Sequence, residues 1–203
     1  MNQRLSTLYV TFGLIVPLFV AGCKKDEPTT LTATALKPVT DAQIARRSVK
    51  ATTDADAAKI DTNVKDTTIE DLIKNKGEGT LASRQAPFET SIWRVKATVE
   101  SIELKKDGDY YMVLRGEKGG QTVVEVPDPA TCKGSPMEAE ITKTRKALEE
   151  KYHPTSEKKD VNEQATITGV GFLGFNGNPK KKGSGGITGA RLMPGTEIDF
   201  DKK

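Results

Sequence analysis

Histidine is almost missing from this chain: His153 is the single one in 203 residues. A zinc site of the Cys/His type needs three or four soft ligands, and Cys23 and Cys132 are the only cysteines that could join it. One histidine also leaves Ser-His-Asp or Cys-His catalysis without a supporting signature. Two cysteines cannot make a disulfide framework. Aromatic residues are 5% of the chain, and none lies between Lys24 and Pro87. A net charge of +3 lacks the basic excess expected of a nucleic-acid protein. No cofactor and no metal are therefore expected, and nucleic acid is not an expected partner.

What is present is concentrated at the start. An apolar run opens near Leu8 behind Arg4 and closes on Val20-Ala21-Gly22-Cys23. Pro17 and Gly13 interrupt it, and it is short for a bilayer span, so it reads as a secretory signal. Small residues before Cys23 and the polar Lys24-Lys25-Asp26-Glu27-Pro28 after it resemble a bacterial lipobox. That resemblance implies a signal peptide over 1–22, a lipid on Cys23 as membrane anchor, and a bacterial cell-envelope location. In a Gram-negative host, Lys24 rather than Asp after the cysteine points to the periplasmic side of the outer membrane.

Residues 23–85 are rich in Thr, Ala, Asp and Lys. They offer too little apolar surface to offset their ordering entropy and are expected to be a flexible tether. The stretch Asp41 to Lys59 has helix propensity but no sustained apolar stripe. A short helix is expected near 67–76, with Ile69, Leu72 and Ile73 on one face and Gly77 after it.

Residues 86–203 carry the folded domain. Ile92 to Ile102 alternates, with Trp93, Val95, Ala97 and Val99 on one side. Asp107-Gly108 is a hairpin signal, Tyr110 to Arg115 the next strand, Gly119-Gly120 a turn, and Gln121 to Val126 the third strand. Ser135-Pro136-Met137-Glu138 reads as a capping box opening a helix with Met137, Ile141, Leu148 and Tyr152 on one stripe. Pro154 ends that helix. Strand character returns over Ala165 to Phe175 and within Ile187 to Met193, with Thr196 to Phe200 closing the domain. The fold class is mainly β with one helix: a five-stranded OB-like barrel in the order β-β-β-α-β-β.

Asp107-Gly108-Asp109, Val124-Glu125-Val126-Pro127-Asp128-Pro129 with Cys132, and Thr168-Gly169-Val170-Gly171-Phe172 with Phe175 resemble an uncharacterised bacterial family of OB-like domains in secreted and phage-linked proteins. The first half also resembles periplasmic OB-folds of the BOF type. Asn176-Gly177 and Met193-Pro194 stand where that family carries histidines, so no histidine site is implied here.

Gly169-Val170-Gly171-Phe172-Leu173-Gly174 matches a dinucleotide fingerprint as a string. The following Phe175-Asn176-Gly177-Asn178-Pro179 cannot supply the helix that the mechanism needs. Cys132 is expected to be a buried, inert thiol. The expected function is a lipid-anchored, non-enzymatic envelope binding or interaction module. Its candidate face comprises Tyr110 or Tyr111, Arg115 and the loop of Lys180, Lys181 and Lys182, facing a polyanion or glycan. Adjacent tyrosines on a strand point opposite ways, so one at most faces a ligand. Two alternatives remain open at this level. One is a structural lipoprotein docking a protein partner through a sheet face. The other is an enzyme with a site at Cys132 and nearby carboxylates such as Asp128.

Overall fold

The computed structural model describes residues 41–77, 83–174 and 189–201. The chain divides into two units, Met1–Lys37 and Pro38–Lys203, the first of which lies outside the described residues. So do the signal segment, Cys23 and the Lys180–Lys182 loop. In chain order the second unit holds α1 (Asp41–Ala51), β1 (Asp61–Thr67), α2 (Ile69–Leu72), β2 (Ser91–Leu104), β3 (Tyr110–Arg115), β4 (Gln121–Val126), α3 (Glu138–Tyr152), β5 (Lys159–Leu173) and β6 (Ala190–Phe200).

Among the described residues the fold is mainly β, with six strands in one sheet. The long strand β2 organises it. One edge pairs in parallel with β1 at Ser91–Val95 and antiparallel with β3 at Thr98–Leu104. The other edge pairs antiparallel with β5 from Ile92 to Ile102. Pairing therefore runs from β2 through β3, β4, β6 and β5 and returns to β2. The link between β4 and β6 is parallel and rests on Val124 opposite Leu192. Both ladders of β2 slip between Val99 and Ser101, the mark of a bulge that bends the strand.

Val95, Ala97, Val99, Met112, Leu114, Val124, Val126, Ile167 and Leu192 fill the core. At the start of the β3–β4 hairpin, α3 adds Ile141, Leu148 and Tyr152, and Met137 just before it joins them, all buried. Its Arg145 donates to Gly108 O at 2.7 Å and Val126 O at 3.2 Å. At the hairpin's turn, α2 inserts Ile69 and Leu72. The Glu70 carboxylate there accepts from the backbone amides of Lys118 and Gly120.

Several expectations are corrected. The sheet has six strands rather than five, and α1 joins the two expected helices, α2 and α3, among the described residues. Residues 41–77 hold α1, β1 and α2, where a flexible tether was expected. β1 escapes a periodicity test because Val64, its one large apolar residue, is 43% exposed. What holds β1 is its ladder to β2 and the two-pronged Arg94–Asp66 pair at 2.7 and 3.0 Å. α2 lies where the short helix was expected, capped by the Thr68 hydroxyl accepting from Asp71 N. The capping box fails as drawn: α3 begins at Glu138, and the Ser135 hydroxyl accepts from Met137 N instead. The two expected terminal strands are one continuous β6 whose register with β5 shifts around Gly169.

Candidate interaction face beneath helix α1

Side chains alternate along β3. Tyr110, Met112 and Leu114 enter the core, which sends Tyr111, Val113 and Arg115 to the outer side. There Tyr111 stands opposite Glu125 and Val113 opposite Val123 on β4. On the neighbouring strands Phe172 stands opposite Arg191. Tyr111, Val123, Phe172 and Met193 gather into a second apolar cluster, separate from the main core, and Val49 of α1 completes it. The helix thus lies on this outer face.

Polar groups seat α1. Arg46, Val49 and Lys50 have the i, i+3, i+4 spacing that puts them on one helix side. Arg46 reaches Glu89 through Nη2 at 2.6 Å and Nη1 at 3.3 Å, donates to Leu173 O at 2.7 Å, and lies 4.2 Å from the Phe172 ring centre. Glu89 is fully buried and also accepts from Leu173 N at 2.7 Å and Gln85 N at 2.8 Å. Arg84 clamps the helix end, donating to Val49 O at 2.9 Å and pairing with Asp54 at 2.7 Å.

Lys50 meets Asp109, Glu125 and, at 3.4 Å, Asp107. Burial alone would push its ammonium down, but Glu125 and Asp109 outweigh that and hold it above the ordinary lysine range. Burial likewise opposes ionisation of Asp107, yet the Lys50 charge leaves that carboxyl below its usual value. Thr52 ends α1 with φ +53° and bonds the Ser135 hydroxyl.

The sequence-predicted face divides. Tyr110 points inward, donates to Glu149 and lies under Arg145 at 3.8 Å, so it is no ligand platform. Burial, followed by the bond to Glu149, pushes its phenol up to about 12. Tyr111 and Arg115 share the outer side. Arg115 is spoken for by Glu100 at 2.6 Å, Lys105 by Glu103, and Arg191 faces Glu125 at 3.7 Å. Cations there are matched by acids, which disfavours a polyanion. Lys180, Lys181 and Lys182 lie outside the described residues.

Cys132 is buried, and burial raises its thiol above the ordinary value, which disfavours thiolate chemistry. His153 has an exposed side chain beyond the far end of α3. The 15-residue helix separates the two by about 22 Å, so they cannot form one site with Asp128. In the glycine string, a Cβ at Gly169 would come within 2.8 Å of Pro194 O, and one at Gly171 would strike Phe88 O. These glycines serve close strand packing. Among the described residues, no group of three or more His, Cys, Asp or Glu side chains is arranged to hold a metal. No helix among them is long and apolar enough to cross a membrane.

Arg46, Lys50, Arg84 and Glu89 escaped sequence reasoning. The one signal available was the spacing of Arg46, Val49 and Lys50; nothing local distinguishes Glu89 from a solvated glutamate before a strand. An open cavity of about 450 Å³ adjoins Lys50, between Arg47, Lys106, Asp107 and Pro127. A second, of about 470 Å³, lies between α2, β1 and β2 with mixed charges.

No protein-family model and no curated protein matches the chain. Among solved structures, Entamoeba histolytica asparaginyl-tRNA synthetase (AsnRS) aligns at 15% identity with a TM-score of 0.33, over 58% of this chain and 22% of that one. The chain thus spans about a fifth of that protein's length, and the likeness is too slight to carry an argument.

Proposed function

We propose that this chain is a non-enzymatic OB-like interaction module of the bacterial envelope, anchored through a lipid on Cys23. Its outer β3–β4–β6 face takes an amphipathic, basic helix of a protein partner. The OB-like part is supported by the ring of pairings β2-β3-β4-β6-β5, the parallel β4–β6 contact, and a helix between β4 and β5. The observation that carries the binding role is the seat of α1, where an apolar patch flanked by Glu89, Glu125 and Asp109 accepts Arg46, Val49 and Lys50. This favours a protein partner over the polyanion or glycan expected from the cations and tyrosines of the sequence-predicted face.

The test follows backbone amide shifts of the purified chain during two titrations. A peptide of residues 41–52 should move the amides of Tyr111, Val123 and Glu125. Short polyphosphate should leave them still. Salt-sensitive polyphosphate shifts centred on Arg115, with none from the peptide, would return the polyanion reading. The anchor is tested separately: Cys23→Ser should release the chain from membranes or block its processing.

A further inference from the structure

We infer that α1 is a displaceable occupant of the face used by the proposed partner, so that access depends on how often α1 leaves. The inference rests on the reading of that face as helix-receiving.

Three observations support it. First, an isolated helix of 11 residues is marginal in water, so α1 depends on its seat to be helical. Val49 and Ala51 are the buried apolar side chains that it contributes from Arg46 onward. Secondly, one part of the ionic hold, Lys50 with Asp107, reaches solvent. Lys50 keeps 17% of its side chain exposed beside the open cavity of about 450 Å³. Such contacts weaken when water and salt reach them. Thirdly, the junction that follows is strained. Thr52 is β-branched and sits at φ +53°, a region such residues rarely adopt. Undocking lets that backbone relax, while the Arg46–Glu89 pair keeps the closed form dominant at rest.

Departure of α1 would bare Tyr111, Val123, Phe172 and Met193 beside Glu125 and Asp109. A partner helix with a cation, an apolar residue three positions on and a second cation next to it matches that pattern. It replaces α1 residue for residue.

The experiment uses the full chain, Lys50→Ala and Val49→Ala, with Trp93 fluorescence to confirm that each variant is folded. Hydrogen exchange in the wild type should show the α1 amides exchanging as a set, at least about tenfold faster than those of β2 and β5. Equal rates would overturn the inference whatever the peptide does. In both variants α1 should open more often, and the apparent affinity for the 41–52 peptide should rise about tenfold for each tenfold rise in open population. Faster opening with unchanged peptide affinity overturns control by α1 and leaves the binding face standing. Opening with no peptide binding to any of the three proteins overturns the binding face itself.

Discussion

Replacing Glu89 by Gln tests the polar lock most directly. The two shapes are alike, so packing is nearly conserved and the change is mainly electrostatic. Glu89 is fully buried, and Arg46 keeps only 5% of its side chain exposed. The carboxylate receives two contacts from Arg46 and one each from Leu173 N and Gln85 N. In Glu89→Gln the guanidinium loses the Glu89 charge, and an amide NH2 faces a backbone donor. Stranding one member of a buried pair costs about 3–5 kcal/mol. For a unit of this size, 1 kcal/mol moves Tm by about 2–4 °C, so Tm should fall by roughly 6–20 °C. Urea unfolding followed by Trp93 is a suitable assay, because its indole donates to Phe88 O at 3.0 Å, next to the mutated residue. The double variant Arg46→Met/Glu89→Gln should recover part of the loss by removing the buried cation as well. It should not recover all, since one glutamine carbonyl cannot serve both Leu173 N and Gln85 N. A single variant within about 1 kcal/mol of the wild type would refute the argument, because that is the scale of exposed pairs.

Other outcomes follow from the same structure. His153 caps α3 at φ +46° with an exposed side chain, so His153→Gly should stabilise by about 0.5–1 kcal/mol in urea melts. Gly171→Ala should cost about 1–3 kcal/mol or more, because its methyl group meets the Phe88 carbonyl backbone rather than a movable side chain. Cys132 should resist a thiol reagent in the native state and react at once in denaturant; rapid native labelling would contradict its burial. Asp107 is held below its ordinary value when folded, so it contributes stability above its unfolded pKa and loses it as pH falls through the folded one. Below about pH 4, the α1 amides should therefore lose exchange protection ahead of the core; simultaneous loss would argue against local release.

The sequence made the sheet legible where burial alternates. β3 and β4 begin and end at the expected residues, and the stripe of α3 is buried as its spacing predicts. It hid what charge builds. Arg46 and Lys50 look like solvated residues until Glu89, Glu125 and Asp109 are brought to them by strands far along the chain. β1 has no apolar pattern because its ladder to β2 and an ion pair hold it. The candidate face was half legible: alternation allows only one of Tyr110 and Tyr111 outside, but it does not say which, nor that a helix covers the one that is.

Glu89 also bears on the order of assembly. It waits for Arg46, 43 residues earlier, and for the Leu173 amide, 84 residues later. A growing chain can make α1 first, yet it cannot secure it until β5 has been completed and laid against β2. The first helix among the described residues is thus among the last to be fastened, and no fragment ending before Leu173 can close the lock. Such long loop closures slow folding. During that interval Tyr111, Val123 and the nearby Glu125 and Asp109 stand uncovered, and whatever binds them then competes with the chain's own completion.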